Sequence, residues 1–498
     1  MSNRVFGWHS TEHRTLFVAC GVVLFFEGLK NHRSTWMRFV GIDIGTTAVK
    51  ACMFDGEGAL LGTGSAEYTL ETPRPDIVEL EPEEYWRAVQ KALSQLPSGH
   101  FDAVAITGQA ETLITVDADG KPLGKAIVWL DNRAKDEAAE LVAHFGLEPL
   151  FRLSGQTEIL PCFPAPKILW LKRHEPERFA KTAKYLMVED YIGWRLSGAY
   201  GTCRGLLPSS IYYDIRSGEY DGAILRFIGI SSEQLPRLCS PGETIAEFKS
   251  AGGSTRLAAA PIDHVCGNLG AGGGITETTG CALALCAISD HLLYDEQMRI
   301  STYCGAKEGD YALLPWAPTG GMLLRHFRDH FTGGMDYVEL DRLAEQVAPG
   351  SDGLVLLPHC AGAVSPVTNP NARGVAWGIT LVHTKAHWAR AIMESIAYLL
   401  RDNVETLRSI GCKVDRISSL GGGASSPLWL QMKADLLQLP IQVPSCREVT
   451  SLGAAMLAHG GDCSGMCHVA RVIEPGKALY EESYARYKSL NELLLPTF

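Results

Sequence analysis

Three short stretches of this chain carry residue types that could move a phosphoryl group. In the first, Asp43, Gly45, Thr46 and Thr47 close an apolar run, and Lys50 follows. A tight Gly/Thr turn between two strands exposes successive N–H groups and hydroxyls, which suit phosphate oxygens. Asp43 could hold Mg²⁺ through water, because that ion takes few carboxylates and keeps phosphate oxygens. Lys50 could add a positive charge. The same residues would equally make an ordinary hairpin with a polar tip. The second stretch is Ala260-Pro261-Ile262-Asp263-His264. Asp263 follows an apolar strand and precedes a helix over Val265 to Leu269, so it reads either as that helix's N-cap or as a general base. A base here would orient an attacking hydroxyl and take its proton late, since phosphoryl transfer has a loose transition state. His264 reads as packing. The third stretch, Gly421-Gly422-Gly423-Ala424-Ser425-Ser426, lets backbone approach a flat ligand such as adenosine, although many strand–helix junctions contain glycines. A further turn around Gly280 would supply a second phosphate cradle.

These residues need elements to hold them. Phe39 to Ile44 and Ala48 to Phe54 read as strands, and Asp55-Gly56 turns into a third through Leu60 and Leu61. Such a meander differs from the βαβ opening of a dinucleotide fold. Glu83 to Leu96 has helical spacing, with Tyr85, Trp86, Val89, Leu93 and Leu96 on one face. A strand over Ala103 to Thr107 leads to Gly108 and Gln109, and a hairpin turns at Asp117 to Gly120. The second half opens alike, with strand–turn–strand over Ile275 to Cys286. A long helix is expected from Thr384 to Ile410, stopped by Gly411. Arg416 to Leu420 then forms a strand, and another helix begins near Pro427. Two halves that both open on a hairpin around a Thr/Gly turn suggest duplicated architecture.

Length and composition narrow the classes. A chain of 498 residues exceeds what one hydrophobic core organises, so two or three domains are expected. Its 46% apolar and 20% charged residues are those of a globular protein. With 45 basic against 56 acidic side chains the formal charge is -11, which excludes nucleic-acid binding through a general field. The 14 cysteines show no zinc or redox spacing and point to a reducing compartment, with the cytosol as the best fit. Leu16 to Phe26 is an apolar run of 11 residues behind Arg4, His13 and Arg14. It resembles a signal-peptide core and is too short to span a bilayer, which needs ~20 residues. It exits into Glu27-Gly28-Leu29-Lys30 without a cleavage motif. Residues 1–37 are therefore set aside as an extension, disordered or outside the native chain, with Met37 as the working start. No stable membrane insertion is expected.

Seven segments in order carry a resemblance: FVGIDIGTTAVK, AITGQAETLITVDADGKPLGKAIVWLDNRA, PIDHVCGNLGAG, TETTGCALAL, LLPHCAGAVSPVTNPNARGVAWGITL, SSLGGGASSPLWLQMKADLL and SLGAAMLA. Together they make the chain resemble the FGGY carbohydrate kinase family, within the actin-like sugar kinase superfamily, from Arg38 to the low 460s. The helix through His387 to Glu394 is also similar to the family's C-terminal signature, with Trp388 bulkier than usual. The resemblance implies an α/β fold of two actin-like (ribonuclease H-like) domains with an interdomain catalytic cleft. It divides the chain into residues 38–280 for substrate and base and 281–480 for nucleotide, leaving 481–498 as a tail. It implies ATP and Mg²⁺ as cofactors and a small sugar or polyol as substrate. Gly45, Thr46, Thr47 and Lys50 match the first phosphate motif, with Asp43 toward the metal, and Asp263 matches the base. Gly280 and Cys281 match the second phosphate motif, and Gly422, Gly423 and Ser426 the adenosine loop. Glu111, Trp129 and Asp131, with Gln109 nearby, fall where family members bind substrate hydroxyls. Trp129 could equally be a core aromatic.

Two departures stand out. Glycerol kinases carry Arg before the Glu of this motif and xylulose kinases carry Met-His, whereas this chain has Ala110-Glu111, so neither substrate is assigned. Cys281 replaces a usual Thr and loses a hydroxyl donor. The expected activity is phosphorylation of a hydroxyl, with closure of the cleft excluding water. The rival is a catalytically weak homologue acting as a ligand-binding regulatory protein, which Cys281 favours and the retained Asp43, Lys50 and Asp263 oppose. A chaperone or filament ATPase would share the fold but not the segment around Glu111 and Trp129. A homodimer is compatible with this organisation, and the sequence leaves the oligomeric state open.

Overall fold

The computed structural model describes residues 16–19, 22–25, 37–250, 252–477 and 479–498. Two mixed sheets organise it. The first contains β1 (Arg38–Ile44), β2 (Ala48–Asp55), β3 (Leu60–Glu67), β4 (Ala103–Gly108), β5 (Thr244–Ser250) and β6 (Gly253–Ala259), in the order β5-β6-β4-β1-β2-β3. The second contains β7 (Ile275–Thr279), β8 (Leu283–Ser289), β9 (Tyr311–Leu314), β10 (Ile417–Leu420), β11 (Ile441–Pro444) and β12 (Val469–Ile473), in the order β12-β11-β10-β7-β8-β9, with Ser301–Cys304 outside β9. In both sheets the leading strand pairs antiparallel with the next and parallel with a later one. A second parallel strand and an antiparallel edge follow on the same side. The duplication expected from two Thr/Gly hairpins is thus present strand for strand.

Helices fill the layers around these sheets. α1 (Pro82–Ser94) buries Tyr85 and Val89, the expected apolar face. α2 (Asp263–Gly270) begins two residues before the expected Val265, so Asp263 lies inside its first turn and not at the cap. α3 (Lys385–Ser409) runs between Thr384 as N-cap and Ile410 as C-cap, and Gly411 takes positive φ beyond it. α4 (Pro427–Leu437) starts behind Ser426, whose hydroxyl accepts the Trp429 N–H. Around α3 gathers the core of the second half, including Ile396, Leu400, Val404 and Leu407.

Three expectations need correcting. Residues 481–498 are no tail: α6 (Glu481–Leu494) sends Tyr484, Tyr487 and Leu490 into the core around α3, because aromatic area of this size is stable only out of water. The extension carries a hairpin, Leu16–Ala19 paired with Val22–Phe25, since β-branched and aromatic residues favour strands. The other expectations for the extension lie outside the described residues. Finally, α5 (Val449–His459), late in the chain, does not stay with the second sheet. It packs on the first, where Leu452, Ala455 and Met456 share a core with Phe39, Ala105 and Cys266.

That packing depends on missing side chains. A Cβ on Gly41 of β1 would lie 1.8 Å from the Ser451 carbonyl oxygen, and one on Gly453 of α5 would lie 1.9 Å from that of Cys266. Backbone meets backbone there, so neither neighbour can rotate away. Gly453→Ala is therefore expected to destabilise the protein by about 3 kcal/mol or more, the upper range for overpacking. Urea unfolding checks this, and an unchanged midpoint would show that the contact yields freely.

Candidate active site

The edge of the first sheet that carries the ends of β1 and β4 gathers the acidic groups. Asp43 lies one residue before the end of β1, opposite Lys50 on β2. The turn beyond it is pinned by the Tyr68 hydroxyl donating to the Gly45 carbonyl and by the Tyr68 N–H donating to that of Thr47 at 3.0 Å. Burial, and then the charge of Asp263, push the Asp43 carboxyl up to about 7, against the pull of Lys50. Lys50 is not a free cation, since its Nζ lies 2.6 Å from Glu448 Oε2 at the N-cap of α5.

Asp263 makes no capping bond. Its Oδ1 accepts the His264 N–H at 2.6 Å and meets His264 Nδ1 at 2.7 Å. The helix-cap alternative for Asp263 is therefore absent from the structure. The packing expectation for His264 also fails, because the ring is half-exposed and paired with Asp263, whose charge raises its pKa. The segment before α2 is held by Thr107 at the end of β4, whose hydroxyl donates to the Pro261 carbonyl at 2.7 Å.

Gln109, Ala110 and Glu111 form the turn after β4. Ala110 and Glu111 both take left-handed φ, 49° and 44°, a conformation that persists in non-glycine residues only when neighbours impose it. Two buried groups impose it. Glu189 Oε1 accepts the Ala110 N–H at 2.9 Å, and Lys167 Nζ donates to the carbonyls of Glu111, Ile127 and Val128 at 2.8, 3.0 and 3.0 Å. The Glu111 carboxyl is pushed up to about 7 by burial and, less, by the charge of Asp263, while the charge of Lys167 pulls it down. Gln109 donates to the Tyr85 hydroxyl at 3.2 Å, and its Oε1 is buried without a partner. Trp129 donates from Nε1 to Thr46 Oγ1 at 3.2 Å, which ties the segment after Val128 to the Gly45–Thr47 turn.

Asp131 is not brought to this group. Its carboxylate is fully buried and occupied by the Val78 N–H at 2.7 Å and by Arg133, which donates from the backbone N–H, Nε and Nη2 at 3.0, 2.9 and 2.8 Å. It anchors the segment behind Trp129 and presents no acceptor to the cleft.

The remaining expected residues meet in the second half. Gly280, Cys281, Gly422, Gly423 and Ser426 line one cavity of about 390 Å³. Its far wall comes from Arg325, Tyr337 and Asp341, for which no sequence motif gave a signal. Ser426 serves α4 as its cap, with its hydroxyl accepting the Trp429 N–H at 3.0 Å. Cys281 is exposed on the turn, where the Gly320 N–H binds its carbonyl at 2.8 Å.

Models of both domains of one family match this chain: the N-terminal domain of the FGGY family of carbohydrate kinases over residues 38–262, and the C-terminal domain over 277–459. The chain belongs to that family. This kinase is 29% identical to a xylulose kinase of Bacillus subtilis over 441 residues, which is 85% of this chain and 88% of the relative. To a gluconokinase of the same organism it is 31% identical over 446 residues, covering 84% and 86%. A solved xyloylose kinase from Brucella ovis matches with a TM-score of 0.87 at 25% identity, covering 93% of this kinase and 100% of that chain. The two sheets are thus those of the actin-like fold, and the kinase acts on a sugar or polyol. Among the described residues, no helix is long and apolar enough to cross a membrane.

The buried carboxyls fix a pH dependence. Asp43, Glu111 and Asp190 are raised to about 7 and Glu189 to about 8, each chiefly by burial. The unfolded chain loses these protons near pH ~4 and the folded one only through 7–8. Between those values the folded state binds more protons, so its stability falls as pH rises. The unfolding temperature of the ligand-free kinase should fall from pH 5 to 8. In Glu189→Gln, which keeps a neutral acceptor for Ala110, the decline should be shallower. An unchanged slope would show that Glu189 does not titrate there.

Proposed function

We propose that this kinase transfers the γ-phosphoryl group of ATP to a hydroxyl of a neutral sugar or polyol, with Asp263 as the base. One observation carries the reading: Thr107 lies beside Asp43 on the neighbouring strand, holds the segment before Asp263 through the Pro261 carbonyl, and precedes the turn that contains Glu111. This supports a base close to both turns, whose charge is felt by Asp43 and by Glu111. Oδ1 is engaged by His264, which leaves Oδ2 for the substrate hydroxyl. In a loose transition state that oxygen mainly aims the hydroxyl and accepts its proton late.

The same groups suggest which substrates enter. Asp43, Glu111 and Asp263 are acidic, and the cations acting on Asp43 and Glu111 are committed elsewhere. Lys50 is paired with Glu448, Lys167 with three carbonyls and His264 with Asp263. A substrate carboxylate about 5 Å from one of these acids would cost about 3 kcal/mol at an effective dielectric near 20. Hydroxyls gain instead, because Glu111 and the unpartnered Gln109 Oε1 accept their protons. The reading thus favours a neutral ketose, aldose or alditol over an aldonate. It holds for one copy or a homodimer, since every named residue comes from one chain.

Mg²⁺ suits Asp43, a carboxyl raised first by burial and then by the neighbouring Asp263, which would gain from a cation. When bound, the ion would neutralise charge on the phosphates. Gly45, Thr46 and Thr47 would cradle phosphate on one side and Gly280 and Cys281 on the other, with the adenosine against Gly422, Gly423 and Ser426. A cytosolic setting would supply the ATP.

Release of ADP by the full chain, measured across neutral three- to seven-carbon compounds and the matching aldonates, tests this reading. Stimulation by a neutral compound is expected, with a loss of about 10²–10⁴-fold in Asp263→Ala. Turnover with aldonates alone would overturn the substrate class, and an active Asp263→Ala would remove the base. Cys281→Thr should also lower KM for ATP by about 2–10-fold, the value of one added hydrogen bond. An unchanged KM would mean that backbone N–H groups alone hold the phosphate there.

A further inference from the structure

A charged pair lies entirely out of water beneath the nucleotide cavity. Lys433 Nζ on α4 stands 2.6 Å from Glu277 Oε1 on β7, and neither side chain has any exposed surface. The other hydrogen bonds of the two groups are made within a small set of residues. Lys433 Nζ donates to Thr279 Oγ1 at 2.9 Å, and that hydroxyl donates to Glu277 Oε2 at 2.8 Å. The Ser419 hydroxyl donates to Glu277 Oε1 from β10, which runs parallel to β7 with Ser419 beside Glu277. The ammonium also stands 5.3 Å from the centre of the Trp429 ring.

The pair's neighbours build the cavity. Thr279 precedes the Gly280–Cys281 turn, Ser419 precedes the glycine loop, and Trp429 lies in the first turn of α4 behind Ser426. Thr279, Ser426 and Trp429 line the cavity themselves. The loop rests directly on Thr279: a Cβ on Gly423 would lie 2.7 Å from Thr279 Cβ. A shift of Thr279 would therefore move the surface on which the nucleotide lies.

Stability alone does not account for such a pair. Taking two charges out of water costs about what their attraction returns, and apolar residues of similar volume often hold a fold as well or better. Hydrogen bonds with fixed directions do offer one thing that apolar contacts lack, which is a single arrangement of the atoms they join. We propose that Glu277 and Lys433 are positioning residues for the nucleotide, fixing Thr279, the second phosphate turn and the glycine loop in one register. The inference rests on the reading of this cavity as the ATP site.

Calorimetric titration of ATP into the full chain without sugar tests it, alongside unfolding temperature and KM for the sugar at saturating ATP. The double variant Glu277→Met/Lys433→Met removes both charges together and leaves none unpaired. It is expected to unfold within a few degrees of the wild type, to bind ATP at least about tenfold more weakly, and to keep its sugar KM. A folded double variant with wild-type ATP affinity would overturn the proposal, as would equal weakening toward ATP and sugar. Thr279→Val, which deletes only the bridging hydroxyl, keeps the test decisive should the double variant fail to fold. It should weaken ATP about 3–10-fold with sugar KM unchanged, and wild-type affinity there would overturn the proposal. A wild-type chain that bound no ATP would overturn the cavity reading and this inference with it. One that bound ATP but phosphorylated nothing would count against the substrate reading alone, and the ATP comparison would still decide the pair.

Discussion

The contact of α5 with β1 and α2 is made through backbone atoms, and the cleft depends on it. Gly41 and Gly453 remove the side chains that would hold these elements apart, and the carbonyls of Ser451 and Cys266 fill the space. A helix late in the chain is thereby fixed on the first sheet, against the strand that carries Asp43. The same contact brings Glu448 to Lys50. Ordinary side-chain packing would allow adjustments of a few tenths of an ångström. Contact between main chains permits very little, so the relation between the phosphate turn and α2, with Asp263 in its first turn, is largely set before any ligand arrives.

Electrostatics then sets the character of the cleft. Burial and the Asp263 charge favour the protonated forms of Asp43 and Glu111, and the nearby cations are only partial remedies because each has its own partner. On the proposed reading, such an arrangement would gain from a divalent ion and from hydroxyl donors. The strained pair Ala110 and Glu111 belongs to the same pattern. Glu189 and Lys167 hold their backbone in the left-handed region, so the place of Glu111 is set by buried neighbours.

How far the sequence foretold this depends on the range of the interaction concerned. The hairpin turns, the limits of α3 and the start of α4 follow from local signals, namely Gly/Thr turns, a Thr cap, Gly411 and Pro427, and all stand close to where they were expected. The cavity residues Gly280, Cys281, Gly422, Gly423 and Ser426 were also legible, because turns between a strand and its successor are written locally. Partners distant in the chain were not. Nothing around Glu448 announces Lys50, and nothing around Lys167 announces the carbonyl of Glu111. Asp131 is the instructive failure. Arg133, two residues away, already offered a competitor for its carboxylate, and the structure shows that the competitor wins. His264 failed in the opposite sense, as adjacency to Asp263 permitted a ring–carboxylate bond that an apolar context had disguised.

The duplicated sheets use their equivalent strands differently. β1 and β7 occupy the same place in their sheets, each leading into a glycine turn, and each carries an acid near its end. In the first half that acid is Asp43, whose opposing cation is drawn off by Glu448, so its charge remains to be met from the cleft. In the second half it is Glu277, whose charge is met inside the protein by Lys433 and whose acceptors are satisfied by Thr279 and Ser419. An acid left short of a cation can act on a ligand. One that is fully matched can only hold its neighbours. If the second-half cavity takes ATP as proposed, the asymmetry suits a two-substrate reaction, in which one wall would take part in the chemistry and the other would present the nucleotide at a constant position.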